Sequence, residues 1–77
     1  MATVKVYGTQ ACPWCHRVKA YLKSKNVDFQ DIDVSTDYEA AMTMVQASGQ
    51  QGVPQIWIDD SIIIGFNQEK IDELLGL

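Results

Sequence analysis

The chain contains two cysteines, and both lie in the segment Cys12-Pro13-Trp14-Cys15. A short β-branched run over residues 3–7 precedes this segment, and a helical pattern continues from it to about Lys25. At the first turn of a helix, the unpaired backbone N–H groups and the helix dipole favour negative charge on the first thiol. Because the thiolate is the form of cysteine that attacks disulfides, this placement predicts thiol–disulfide exchange.

The two thiols are expected to have different roles. Cys12 precedes the helix, so we expect it to be the exposed nucleophile, whereas Cys15, one turn inside, is expected to attack the mixed disulfide formed on Cys12. Pro13 fits the first helical turn, where its missing N–H would have been unpaired anyway. Trp14 can form an aromatic wall beside the sulfurs or be a surface aromatic with a structural role only. A purely structural disulfide is the alternative for the pair.

Other chemistries of a CxxC pair fit the sequence less well. Cys12, Cys15 and His16 match the haem-attachment pattern, but no export signal precedes them. The same three residues cannot all converge on one zinc ion, which usually takes four ligands. A binding module without redox activity would not need the second thiol. The sequence therefore predicts no bound metal or other cofactor.

Composition predicts one small domain over residues 1–77. The chain is 47% hydrophobic, as is ordinary for a globular fold, and its formal net charge of −4 argues against nonspecific nucleic-acid binding. No apolar stretch reaches the length of a signal-peptide core or a membrane span. We therefore expect a cytoplasmic monomer with no nucleic-acid or membrane partner. In that compartment a lone CxxC is more typical of a catalytic pair than of a structural disulfide.

Hydrophobic periodicity predicts the element order β-α-β-α-β-β-α. The first strand ends at Gly8, and the segment 27–34 has the mixed pattern of an edge strand with one polar face. A capping box of Thr36 and Glu39 opens the second helix, whose apolar positions are predicted at Tyr38, Ala41, Met42 and Val45.

The last third of the chain predicts a hairpin followed by a helix. The β-run 55–58 turns at residues 59–61 into the apolar run 62–64, and Asn67 is the expected N-cap of a helix that ends at Gly76. The first βαβ unit gives parallel strands and the hairpin adds antiparallel ones. The result is an α/β fold with a four-stranded mixed sheet and helices on both faces.

Three segments, in this order, resemble motifs of the glutaredoxin family. The segment 12–17 (CPWCHR) resembles its dithiol motif, with Trp14 where tyrosine is usual. The segment 52–55 (GVPQ) resembles its Thr-Val-Pro segment, and the segment 64–67 (IGFN) resembles its Gly-Gly turn. The resemblance covers nearly the whole chain. It implies a thioredoxin fold and an oxidoreductase that reduces protein disulfides or glutathione mixed disulfides.

The resemblance also implies a substrate groove beside the thiols. A cis Val53–Pro54 bond would leave the Val53 backbone free to pair with a peptide-like substrate. The residues alone indicate only a proline at a strand start, for which trans is usual. Phe66 as core filler is an open alternative. The residues implied to bind substrate or glutathione are Pro13, Trp14, Val53, Pro54, Gly65, Phe66, Asn67 and Gln68.

The sequence departs from the family pattern at three positions. Thr9 stands where many members have a lysine that contacts a glutathione carboxylate, and Gln68 stands where an aspartate often binds the glutathione amino group. Phe66 replaces the second glycine, and the turn instead resembles that of NrdH-type redoxins. Such redoxins are reduced by thioredoxin reductase and donate electrons to ribonucleotide reductase. The external reductant is therefore either glutathione or thioredoxin reductase. A homologue that binds a bridged iron–sulfur cluster is the non-enzymatic alternative.

Overall fold

A computed structural model describes residues 2–77 of the chain, and its element order matches the prediction. Among these residues, no helix combines the length and the apolar composition that crossing a membrane requires. The elements are β1 (Val4–Gly8), α1 (Pro13–Ser24), β2 (Gln30–Asp33), α2 (Tyr38–Ser48), β3 (Gln55–Ile58), β4 (Ser61–Ile64) and α3 (Gln68–Leu75).

The four strands form one mixed sheet in the order β2-β1-β3-β4. β1 and β2 are parallel, whereas β3 is antiparallel to both of its neighbours. The expected hairpin is present, and Asp59 adopts a positive φ of 52° in its turn. β2 lies at the edge, as its polar face predicted, so the mixed α/β sheet is confirmed.

One face of the sheet carries the hydrophobic core. The register places Val6 opposite Ile56 and Ile56 opposite Ile63, so these side chains share a face. α1 and α3 pack against this face. The buried cluster consists of Val4, Val6, Val18, Leu22, Ile56, Ile58, Ile63 and Ile71. Burial of this cluster orients α1, and therefore the cysteine segment at its N-terminus, relative to the end of β1.

The opposite face is covered by α2, and here the predicted apolar stripe is partly wrong. Met44 is the buried residue of α2, whereas Tyr38 is 77% exposed and Met42 is 40% exposed. The helix is rotated relative to the prediction, because Met44 and not Met42 faces the sheet. Four apolar residues at helical spacing could not distinguish these two phases, since α2 has apolar residues on more than one side.

The predicted capping box of α2 is also wrong. The N-cap is Asp37, whose side chain accepts a hydrogen bond from the backbone N–H of Ala40 at 3.0 Å. The Thr36 hydroxyl instead donates to the Asp33 carbonyl at 3.4 Å, in the turn that follows β2. A carboxylate near the helix N-terminus also interacts favourably with the helix dipole, which favours Asp37 over its neighbour. The predicted N-cap of α3, Asn67, is confirmed by its hydrogen bond from the Lys70 N–H.

Candidate active site

Cys12 is the N-cap residue of α1. Its backbone is extended, with φ −96° and ψ 109°, and its sulfur accepts a hydrogen bond from the backbone N–H of Cys15 at 3.1 Å. The Cys12 carbonyl accepts from the His16 N–H at 3.2 Å and so starts the helix. Both cysteines are free thiols, and Cys12 is only partly buried. The sulfur of Cys12 thus lies at the positive end of α1, within reach of external disulfides.

Cys15 lies one turn deeper and has no exposed surface. It packs on the end of β1, where a Cβ atom added at Gly8 would lie 2.8 Å from the Cys15 Sγ and 3.0 Å from its Cβ. Burial, followed by the hydrogen bond with Cys12, raises the pKa of Cys15 from 9.0 to about 11. The Thr9 backbone and Lys19 oppose this shift but do not cancel it. Cys15 therefore stays protonated under conditions in which an exposed thiol begins to ionise.

The loop between β1 and α1 is held by two further contacts. The Cys12 N–H donates to the Thr9 carbonyl at 3.4 Å, and His16 Nε2 lies 2.6 Å from the Gln10 carbonyl. Since a carbonyl can only accept, His16 Nε2 carries the hydrogen in this contact. His16 therefore holds the loop that precedes Cys12, and this ring nitrogen is used in that contact and not as a metal ligand beside the two thiols.

A groove lies beside this turn and brings together five of the residues that the sequence singled out. It has a volume of about 280 Å³, and its lining residues are Trp14, Val53, Pro54, Gly65 and Phe66. The Val53–Pro54 peptide bond is cis, as the family resemblance implied. The groove is assembled from α1, the loop before β3 and the turn after β4, which are far apart in the sequence.

The remaining predicted site residues do not line this groove. Pro13 is exposed at the start of α1. The Asn67 side chain is used as the N-cap of α3, and the exposed Gln68 is the first residue of that helix. These three residues flank the groove lining but contribute no surface to it.

The backbone of Val53 is available for pairing. Within residues 2–77, no protein group makes a hydrogen bond with its N–H or its carbonyl. The next carbonyl along, that of Pro54, is used, because it accepts from the Gly65 N–H at 2.8 Å. Val53 therefore presents one unpaired donor and one unpaired acceptor beside Trp14, while the adjoining backbone is fixed to the turn after β4.

Phe66 belongs both to the groove and to the core. Its ring centroid lies 6.5 Å from that of Trp14 and 5.7 Å from that of Tyr21, and it packs against the buried cluster. The two interpretations of Phe66 are therefore compatible. Trp14 is 54% exposed and carries the guanidinium of Arg17 at 4.5 Å from its ring centroid, a cation–π contact that holds the indole in place.

Comparison with known proteins identifies the family. The glutaredoxin family model matches residues 4–63, which contain both thiols and the cis-proline segment. The chain belongs to the glutaredoxin family. A glutaredoxin-like 8.6 kDa protein of the rubredoxin operon of Clostridium pasteurianum is 50% identical over 72 residues, covering 94% of this chain and 96% of that protein. Glutaredoxin 3 of Escherichia coli K12 is 43% identical over 65 residues, covering 84% of this chain and 78% of that protein.

Solved structures give the same fold. A glutaredoxin from Archaeoglobus fulgidus superposes with a TM-score of 0.86 at 32% identity, covering 97% of this chain and 87% of that one. The NrdH-redoxin of Escherichia coli, described as a glutaredoxin-like protein with a thioredoxin-like activity profile, superposes with a TM-score of 0.84 at 28% identity. The match covers 94% of this chain and 93% of the redoxin. The thioredoxin fold of the glutaredoxins is thus confirmed, and the chain is a thiol–disulfide redox protein.

Within residues 2–77, no group of three or more His, Cys, Asp or Glu side chains is placed so that it could hold a metal ion. Cys15 is fully buried, so Cys12 is the one thiol that can reach an external group. A cluster bridged between two chains, the alternative that the resemblance allowed, stays a prediction.

Sequence reasoning missed three residues that support this glutaredoxin site. Gly8 was expected only to end a strand, yet it contacts Cys15. Gln55 was noted within a motif and a strand, yet its side chain is fully buried. Arg17 was noted without its contact with Trp14. Its position three residues after Trp14 on a helix is the one signal that could have predicted the contact between them.

Proposed function

We propose that the protein is a dithiol oxidoreductase that reduces protein disulfides or glutathione mixed disulfides. The observation that carries this proposal is the inequality of its two thiols. Cys12 is accessible at the N-terminus of α1, and Cys15 is buried one turn inside with a pKa raised to about 11. Cys12 is placed to attack an external disulfide, and Cys15 stays protonated beside it until it attacks the mixed disulfide.

The reaction consists of two exchanges. The Cys12 thiolate attacks one sulfur of the substrate disulfide, which forms a mixed disulfide and releases the other substrate sulfur as a thiolate. Cys15 then loses its proton and attacks the Cys12 sulfur, which forms the Cys12–Cys15 disulfide and releases the second substrate thiol. Two electrons pass from the protein to the substrate, and an external reductant returns them.

The groove provides a docking site for the substrate. A peptide segment in extended conformation can pair its backbone with the unpaired N–H and carbonyl of Val53, as a strand is added at a sheet edge. Its side chains would contact Trp14 and Phe66, which both line the groove. This arrangement recognises backbone rather than one particular side chain, which suits a reductant of several protein disulfides.

The reductant is the second part of the proposal. Thr9 and Gln68 lack the charges that many glutaredoxins use for glutathione. Each well-placed charge-assisted hydrogen bond contributes about 1.5–3 kcal/mol, and exposed ones contribute less. Losing two weakens glutathione recognition by roughly ten- to a thousandfold. We therefore propose slow but measurable turnover with glutathione.

An NrdH-type redoxin is the second candidate function. The observation that favours it is the Gly65-Phe66 turn, in which an aromatic ring occupies the position of the second glycine and packs between Trp14 and Tyr21. The structural similarity to the Escherichia coli NrdH-redoxin supports the same candidate. In this case thioredoxin reductase supplies the electrons, and ribonucleotide reductase is the disulfide substrate.

One experiment tests the activity and separates the two reductants. The oxidised protein is offered glutathione with glutathione reductase, or thioredoxin reductase alone, each with NADPH, and NADPH oxidation is followed. The double variant Thr9→Lys plus Gln68→Asp is expected to raise the rate of reduction by glutathione at least several-fold, because it restores the charges for one or two charge-assisted hydrogen bonds to glutathione. Cys12→Ser is the control without activity. Wild-type glutathione turnover that is already fast and gains nothing in the double variant would contradict the proposed role of Thr9 and Gln68.

Rapid reduction by thioredoxin reductase, with little from glutathione, would favour the redoxin. Reduction by neither system, together with no reaction of the dithiol form with a protein disulfide, would contradict the oxidoreductase proposal.

We further propose that the protein acts in the cytoplasm as a monomer without a bound cofactor, and that its partners are disulfide-containing proteins or glutathione and not nucleic acids or membranes.

A further inference from the structure

Gln55 is a polar residue in an apolar position. It is the first residue of β3, has no exposed surface, and is the one fully buried polar side chain within residues 2–77. Its strand position is fixed by pairing with Tyr7 on one side and with Ile64 on the other. The side chain therefore starts from the first residue of an inner strand, on the face that α2 covers.

The Gln55 carboxamide holds the loop between α2 and β3. Its Nε2 donates to the Gln50 carbonyl and to the Gly52 carbonyl, each at 3.1 Å. Its Oε1 accepts from the Trp57 indole N–H at 3.2 Å. Gly52 directly precedes Val53, which lines the groove and whose backbone N–H and carbonyl have no hydrogen-bond partner. The two bonds from Nε2 thus connect the groove segment to the sheet immediately before Val53.

Packing alone does not account for a carboxamide at this position. Burying an amide costs free energy unless its hydrogen bonds are replaced, and an apolar side chain of similar volume fills the space without that cost. What a methionine or leucine cannot do is hold two carbonyl groups at a fixed distance and direction. We therefore expect the two hydrogen bonds of Gln55 to fix the position and orientation of the loop over residues 50–53.

We propose that Gln55 is a positioning residue that sets the backbone of Val53 for substrate docking. The inference rests on the proposed function, because it concerns the groove through which the disulfide substrate binds. Gln55 does not touch the substrate or the thiols. It acts through the Gly52 carbonyl, which it keeps turned toward the sheet so that the N–H and carbonyl of Val53 stay turned toward the groove.

The test uses two variants and one matched control. Gln55→Met keeps the volume and removes all three hydrogen bonds, and Gln55→Glu keeps the shape but cannot donate to the two carbonyls when ionised. Trp57→Phe removes only the indole hydrogen bond and leaves both bonds from Nε2 in place. Each protein is assayed with a peptide mixed disulfide for KM and kcat, and the rate of Cys12 alkylation by iodoacetamide is measured in parallel.

We expect KM to rise about tenfold in Gln55→Met, because the loss of one or two neutral hydrogen bonds is transmitted to docking. The kcat and the Cys12 alkylation rate are expected to stay within about twofold of wild type. Docking stabilises the bound substrate and the transition state equally, so its loss changes KM and leaves the reactivity of the thiol unchanged. Trp57→Phe is expected to behave like wild type. An unchanged KM in both Gln55 variants, or an equal fall in alkylation and activity, would overturn the inference, because either result indicates a general structural role only.

Backbone NMR order parameters separate this inference from the proposed function. In Gln55→Met, the order parameters of Gly52 and Val53 are expected to fall from about 0.85 to below about 0.6, while those of β1 are unchanged. That result would support the positioning role even if wild type failed to reduce any disulfide, which would contradict the proposed function alone. Unchanged order parameters at Gly52 and Val53 would overturn the positioning role whatever the activity. If Gln55→Met does not fold, the same comparison is made with Gln55→Glu.

Discussion

Cys12 and Cys15 lie three residues apart at the N-terminus of α1, yet their surroundings have little in common. Cys12 is at the open end of the helix, with its sulfur accepting a backbone N–H. Cys15 has no exposed surface and contacts the backbone of β1 at Gly8. Three residues of α-helix advance the chain by about 4.5 Å along the axis while returning it to nearly the same face. Depth along the helix, and not the face, makes the two thiols unequal.

The comparison shows how one short motif can hold a reactive and a protected thiol together. The hydrogen bond from the Cys15 N–H to the Cys12 sulfur keeps the outer thiol close to the inner one. The absence of a side chain at Gly8 provides the space that the inner thiol fills. We therefore expect substitutions at Cys12, the outer end of the motif, to alter the exchange reaction. Substitutions at Cys15 or Gly8, the inner end, should first alter packing and stability.

The largest effect is expected from removing either sulfur. Cys12→Ser should abolish exchange, because no other accessible thiol exists in the chain. Cys15→Ser should accumulate mixed disulfides on Cys12 but keep glutathione-dependent activity, since glutathione can itself resolve the intermediate. Mass spectrometry after exposure to oxidised glutathione distinguishes the variants. An adduct that forms preferentially on Cys15 would reverse the two assignments.

A large difference in reactivity is expected between the thiols of the reduced wild-type protein. The raised pKa of Cys15, about 11, means that its thiolate becomes abundant only as the pH rises toward that value. At pH 7 its alkylation should therefore be at least about a hundredfold slower than that of free cysteine, whose pKa is near 8.5. Peptide mapping after iodoacetamide treatment between pH 6 and pH 10 measures both sites. In guanidinium chloride the two rates should become similar, and equal rates in the folded protein would refute the protected state of Cys15.

A moderate effect on stability is expected at the inner end. Gly8→Ala places a methyl group 2.8 Å from the Cys15 sulfur, and overpacking of this kind costs about 1–3 kcal/mol. Gly52→Ala is the matched control, because a Cβ there meets no atom within 4 Å. Urea unfolding under reducing conditions measures both. Adding Cys15→Ala should recover part of the loss, and strictly additive effects would show that Gly8 and Cys15 do not interact.

The smallest effect is expected from the cap at the outer end. Serine is a good N-cap and alanine is not, so Cys12→Ala should be less stable than Cys12→Ser by about 1 kcal/mol. Asn67→Ala, at the N-cap of α3, provides the reference for a conventional cap in the same fold. The same urea experiment applies. Equal stability of the two Cys12 variants would mean that a side-chain acceptor at this position contributes nothing to the start of α1.

Most of the secondary structure could be predicted because its signals are local. The β-branched run of β1, the hairpin turn at Asp59, and the caps at Asn67 and Gly76 each depend on residues a few positions apart. The errors occurred in α2, where local signals competed. Asp37 and Thr36 are both good N-caps, and only the turn after β2, which uses the Thr36 hydroxyl, decides between them.

The candidate site divides along the same line. The sequence by itself determined that two thiols lie at a helix N-terminus and that the first precedes the helix, since motif spacing and helix geometry are local properties. Only the tertiary structure decided that Cys15 packs on Gly8, that Phe66 joins the groove to the core, and that Gln55 holds the loop before Val53. These contacts join segments that are far apart in the sequence, and their relative positions result from packing the helices on the sheet. A local sequence pattern does not specify which distant atoms this packing brings into contact.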